Sequence, residues 1–184
     1  MVVYNGLNRH FGYMKPDFYY EIALSSLPHI GAKTIQTLFE HFDSAEEILK
    51  ANAKAFENIP KITPRTIELL KQKPNEEAIY AEIDFIQKHQ IEVFTYSHPQ
   101  YPERLRNCVD SPFIVYYKGT ANLAKKKVIG IVGSRMATEY GKNFIKNLMQ
   151  DLAPFDPLII SGLAYGIDIA AHQEALSNNL ETIG

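Results

Sequence analysis

Two stretches of this chain place small and charged residues where a strand should give way to a helix. Residues 128–142 read VIGIVGSRMATEYGK and residues 158–172 read LIISGLAYGIDIAAH. In each, a short β-branched run passes through a small-residue turn, Gly133-Ser134-Arg135 in the first and Ser161-Gly162 in the second, into an amphipathic pattern. Ligands of open parallel α/β sheets sit at strand carboxyl ends, where the free N–H groups of helix N-termini attract negative charge. Gly133 allows close backbone approach, Ser134 brings a hydroxyl, and Arg135 brings a planar fork matched to phosphate oxygens. The two turns together predict a phosphate-holding cleft. Lys142 and Lys146, one and two turns beyond the first loop, extend its positive edge.

Other chemistries fit these residues less well. A dinucleotide fingerprint needs G-x-G-x-x-G and an acid about twenty residues on. Here the glycines are Gly130 and Gly133, and the next strand ends in Ile160-Ser161 without an acid, so no nicotinamide cofactor is expected. Gly141-Lys142-Asn143 is neither placed nor ended like a Walker loop. Arg135 has a second possible use, as the partner of a surface carboxylate. Asp168 and His172 stand at i and i+4, where a carboxylate can hydrogen-bond an imidazole as half of an acid–base pair or simply pin the helix. No nucleophile accompanies them, and no residue is assigned a catalytic role. The six histidines lack metal-ligand spacing, so no metal site is expected.

The elements that must carry these turns follow from changes in local pattern. Residues 1–16 show no periodicity and read as an arm. Residues 17–73 read as helices only: one stripe ends at Pro28 and Gly31, Ser44 with Glu47 forms a capping box for a helix over 45–51, and Thr63-Pro64 opens another over 65–71. Leu27-Pro28-His29-Ile30-Gly31 has the form of a helical hairpin whose N–H groups can meet a nucleic-acid phosphate. The outline returns at Ile59-Pro60-Lys61-Ile62-Thr63, with Thr63 where glycine should be. Both hairpins serve equally well as plain scaffold. After Lys73-Pro74, residues 74–184 alternate between helix and strand, with helices over 76–89, 138–151 and 165–177 and strands over 91–96, 113–117, 127–132 and 158–160. That alternation predicts a parallel sheet with helices on its faces. A further strand begins at Glu181-Thr182-Ile183, which suggests a fragment of a longer sheet.

Composition narrows the class. The 46% hydrophobic content of 184 residues can supply a core. A single cysteine, Cys108, rules out an internal disulfide framework and suits a reducing compartment, where packing is its expected role. No apolar run approaches the roughly 18 residues of a membrane span, and residues 1–11 lack a signal-peptide core. A cytoplasmic protein is expected. The net charge of −2 hides nine basic side chains against Asp110 and Glu139 over residues 104–146. This run predicts either a positive patch around the first turn or a solvated surface, the second above all for Lys125, Lys126 and Lys127.

Taken together, G-S-R-x-x-T-x-Y-G at 133–141 and S-G-x-A-x-G-I-D-x-x-A-H at 161–172 resemble the DNA-processing protein A (DprA, or Smf) family. Tyr101-Pro102 with Leu105, and Pro112 followed by Tyr116, Lys118 and Gly119, extend the likeness over residues 17–184. The resemblance implies a Rossmann-like domain, incomplete at its C-terminus, preceded by a small all-α helix-hairpin-helix (SAM-like) domain. It also implies a cytoplasmic, non-enzymatic binder of single-stranded DNA that loads a RecA-type recombinase during natural transformation and works as a homodimer. Carried over, the DNA backbone falls to Gly133, Ser134, Arg135, Ser161 and Gly162. A competing likeness is to the lysine-decarboxylase-like (LOG) nucleotide phosphoribohydrolases. They share the G-S-R turn but need a P-G-G-x-G-T turn and a catalytic Glu that do not occur in this sequence.

Overall fold

The computed structural model describes residues 18–184, so the arm expected over 1–16 lies outside the described residues. The chain divides into two compact units, the first ending at Lys118 and the second spanning Gly119–Gly184.

The first unit opens with helices α1 (Tyr19–Ser25), α2 (Ala32–Phe39), α3 (Ala45–Lys50) and α4 (Pro64–Leu70). Their starts follow local chemistry. The Ser44 hydroxyl accepts the Glu47 N–H at 3.1 Å, and the Glu47 carboxylate reaches back to the Asp43 N–H at 2.9 Å. That is a capping box displaced by one residue at its acidic end. Thr63 caps α4 with Pro64 behind it, as expected. A 3-10 turn at Ala53–Phe56, absent from the pattern reading, drives Phe56 into the core beside Leu38, Ile48 and Leu70.

The first compact unit runs on past the Lys73-Pro74 turn to Lys118, and the physical reason is α1. Its Leu24 joins the core of the helical hairpins, while Tyr19, Ile22 and Ala23 pack on Ile79, Ile83 and Ile86 of α5 (Glu76–Lys88). Burial therefore runs straight across the Lys73-Pro74 turn. Strands β1 (Glu92–Thr95) and β2 (Ile114–Tyr117) complete this unit, with α6 (Glu103–Arg106) between them. They pair antiparallel, Glu92 opposite Tyr117 and Thr95 opposite Ile114, which corrects their expected place in a parallel sheet. A parallel pair needs a covering crossover, usually a full helix. Here the connection holds one four-residue helix and is tied at its ends, where the Tyr101 hydroxyl donates to the Pro112 carbonyl at 2.6 Å.

The second unit is the parallel sheet that the sequence predicts. Its order is β3 (Val128–Ile131), β4 (Leu158–Ser161), β5 (Thr182–Ile183), with α7 (Glu139–Leu152) and α8 (Ile167–Ser177) as the crossovers. Ile145 and Met149 of α7 meet Ile159 of β4 and the alanines 170, 171 and 175 of α8 in one core. Three alanines on one helix face let α7 and α8 approach closely. The Thr138 hydroxyl fixes where α7 begins by accepting the Gly141 N–H at 3.1 Å.

Candidate nucleic-acid interface

Parallel register places both small-residue turns at one end of the sheet. Ile131 stands opposite Ser161, so β3 and β4 finish level and their turns leave side by side. The backbones then interlock. The Ile167 N–H donates to the Ser134 carbonyl at 3.1 Å. Gly166 has φ +90°, and a Cβ there would lie 2.2 Å from the Ser134 oxygen and 2.6 Å from the Arg135 carbonyl. No other residue fits that spot without moving the first turn. Gly133 faces the Ile167 side chain in the same way, with an added Cβ at 2.7 Å. The sequence motif over 161–172 contains Gly166 without giving it a role, and a glycine just ahead of a helical pattern is the signal for one.

The residues expected to bind phosphate take different positions around this junction. Arg135 is exposed, and no carboxylate of a described residue forms a salt bridge with it. The Ser134 hydroxyl is folded onto its own turn, accepting the Met136 N–H at 3.1 Å. Gly133 and Gly162 are exposed. Ser161 is 6% exposed, and its hydroxyl donates to the Ile131 carbonyl at 2.8 Å, so it ties the two strand ends together. Lys142 pairs with Glu139 at 2.8 Å on the surface of α7, and Lys146 is exposed one turn further along.

Two charge readings change. Lys125, Lys126 and Lys127 precede β3 and therefore sit at the opposite end of the sheet from the turns, about 13 Å away along a four-residue strand. Lys125 is mostly covered and bridges Asp156 at 2.5 Å and Glu181 at 3.1 Å, while Lys127 donates to the Phe155 carbonyl. Its hydrogen bond to Asp156 holds the Lys125 ammonium above its ordinary range. Arg104, Arg106 and Lys118 belong to the other unit, where the Arg106 guanidinium lies over the Tyr96 and Tyr101 rings and donates to the His98 carbonyl. In the Gly119–Gly184 unit, the expected positive patch at the turn reduces to Arg135, Lys142 and Lys146.

Asp168 and His172 do not hydrogen-bond each other. The imidazole Nδ1 pairs with the Thr182 hydroxyl at 2.6 Å and Nε2 with the Gly162 carbonyl at 3.0 Å. His172 therefore clamps the second turn to β5, which is a pinning role. Asp168 is 7% exposed and lies under Gly162, where an added Cβ would be 2.6 Å from Oδ2.

The two helical hairpins differ in one atom group. His29 and Lys61 both take positive φ, and Gly31 and Thr63 both occupy the following N-cap. Thr63 turns its hydroxyl onto the Thr66 N–H at 3.2 Å, whereas Gly31 caps nothing with a side chain. The first hairpin leads into its second helix without a side-chain cap, whereas the second covers one helix-start N–H with its own Thr63 hydroxyl.

A helix-hairpin-helix front and a parallel α/β sheet with interlocked strand-end turns define the architecture, and comparison with known proteins gives its family. The model of the DNA recombination-mediator protein A family matches residues 92–184, and that of the SAM-like helix-hairpin-helix tandem matches residues 21–73. The chain belongs to the DNA recombination-mediator protein A (DprA/Smf) family. It is 29% identical over 172 residues to protein Smf of Synechocystis, covering 89% of this chain and 42% of that protein. It is 40% identical over 83 residues to DNA processing protein DprA of Streptococcus pneumoniae, covering 45% of this chain and 29% of that one. The X-ray structure of DprA from Streptococcus pneumoniae superposes with a TM-score of 0.66 at 28% identity, over 93% of this chain and 58% of the other. The chain spans less than half the length of these curated relatives.

Proposed function

We propose that this chain binds single-stranded DNA as a recombination mediator, delivering the strand to a RecA-type recombinase in DNA uptake and acting without catalysis of its own. The DNA backbone lies at the interlocked turns. Arg135 and the main chain of Gly133, Ser134 and Gly162 face the phosphates, Ser161 holds the strand ends in place, and Lys142 and Lys146 continue the path along α7. The observation that carries this reading is Arg135, an exposed guanidinium with no carboxylate partner among the described residues, on a turn whose shape Gly166 enforces. The family's description as a recombination mediator supports the recombinase partner. A homodimer and a cytoplasmic location come with the same reading; among the described residues no helix is long and apolar enough to cross a membrane.

The test is fluorescence anisotropy of a labelled oligothymidylate at about 50 and 200 mM salt, for the chain and its Arg135→Ala variant. Salt-sensitive binding that weakens in the variant is expected. Folded protein that binds no strand at the lower salt refutes the reading. Release of free base from AMP, the reaction of the competing nucleotide-hydrolase class, is expected to stay at background.

A further inference from the structure

Exposed rings at the turn end of the Gly119–Gly184 unit are left unexplained by folding. Ile145 and Met149 give one face of α7 to the core, while Tyr140 and Phe144, one turn apart, stand on the other at 81% and 55% exposure. Tyr165, also 81% exposed, rides the turn that closes on Ser134 and Arg135. Burying such rings would stabilise the chain, so rings this open point to cover supplied by another molecule.

Ile167 brings the two tyrosines to one place. Gly141, the neighbour of Tyr140, would bring a Cβ to 3.1 Å from the Ile167 Cδ1. Gly166, the neighbour of Tyr165, leads directly into Ile167. Both tyrosines therefore stand on backbone that borders the junction presenting Arg135. Flat apolar faces beside a guanidinium suit one occupant above others, a nucleic-acid strand whose phosphates meet the cation and whose unpaired bases lie on the rings. A second copy of this chain could cover rings, but it would leave the Arg135 charge unanswered.

We infer that Tyr140 and Tyr165 form a base-stacking platform beside the phosphate turn, so that binding depends on unpaired bases as well as on the backbone. This rests on the single-strand reading above. The experiment compares an oligothymidylate with an abasic strand of equal length and equal phosphate count, by anisotropy on the 184-residue chain. The wild type should prefer the base-bearing strand by about 5- to 150-fold, the range of stacking one base on an aromatic side chain. The double variant Tyr140→Ala, Tyr165→Ala should lose most of that preference while binding the abasic strand as the wild type does. The double Phe variant should keep it. Both rings are exposed, so circular dichroism should show every variant folded.

Equal wild-type affinity for the two strands overturns the platform and leaves backbone binding standing. Preference retained in the double Ala variant overturns it as well. Failure of the wild type to bind either strand removes the single-strand reading and the platform with it. Loss of self-association in the double Ala variant, with base preference unchanged, gives the rings to a contact between copies and overturns the proposal.

Discussion

Replacing Gly166 by alanine tests the interlocked turns directly. The residue sits at φ +90°, ψ −123°, outside the space of ordinary L-residues, and holding a non-glycine there costs about 1–3 kcal/mol. The new methyl would also meet the Ser134 oxygen at 2.2 Å and the Arg135 carbonyl carbon at 2.6 Å. Both are backbone atoms, so no side chain can swing aside to relieve the overlap. Overpacking of this kind adds about 1–3 kcal/mol. The combined loss of about 2–6 kcal/mol is large for a unit of this size, whose whole stability at about 0.05–0.15 kcal/mol per residue is about 3–10 kcal/mol. Gly130→Ala is the matched control, because nothing lies within 4 Å of the methyl it would add and its φ is ordinary. Urea unfolding followed by circular dichroism gives the size of the loss, and amide exchange of β4 peptides assigns it to this unit. A Gly166→Ala midpoint indistinguishable from that of Gly130→Ala would refute the interlock. Partial unfolding is not needed for a second readout: if the variant stays folded, the displaced Ser134 and Arg135 should weaken strand binding beyond any change in Gly130→Ala.

Three further outcomes follow from particular contacts. Arg135→Ala should weaken single-strand binding by about 1.5–3 kcal/mol and flatten the slope of log affinity against log salt by about 0.7, with an unchanged urea midpoint; an unchanged slope places the phosphate elsewhere. Phe56→Ala should destabilise the first unit by about 3–5 kcal/mol, because its ring is fully buried against Phe42 and its loss leaves a cavity, which urea unfolding would register. Lys125→Met should be less stable than the wild type at neutral pH. The hydrogen bond to Asp156 raises the folded pKa of Lys125 above the ordinary 10.5, so its contribution is complete below that pH and is lost as pH rises through the folded value. Thermal melts of the two proteins should therefore converge in alkali, and a gap that persists there would refute the ion-pair account.

Helix starts were legible because capping is local. Ser44 and Thr63 each accept an N–H three residues ahead, a relation contained within four letters of sequence. The meeting of the two turns was legible too, since strand–helix alternation brings successive strand ends to one edge. What pattern could not carry was anything settled between distant residues. Ser161 offers a hydroxyl at the turn, and only register shows that this hydroxyl donates to the carbonyl of Ile131 opposite it. His172 reads as the partner of Asp168 until β5 presents Thr182. Lys125 reads as a solvated surface charge until Asp156 and Glu181 close on it. β1 and β2 read as members of the parallel sheet because alternation counts elements, whereas pairing depends on what the connection between them can cover.

Ile167 bears on how much the glycine pattern itself proves. Its side chain fills the space that a Cβ on Gly133 would take and touches the edge of Gly141, and its N–H holds the Ser134 carbonyl. Gly166 is fixed by the same approach of backbones. Gly133, against the Ile167 side chain, and Gly166, against the Ser134 and Arg135 backbone, are thus required by packing at one junction, whether or not a phosphate ever binds. Their presence supports the fold more strongly than the ligand. Arg135 has no such duty: it is exposed and bridges no described carboxylate, so folding gives no reason for a guanidinium there. Removing it leaves the interlock intact, and the resulting change in strand affinity measures the ligand role free of the packing role.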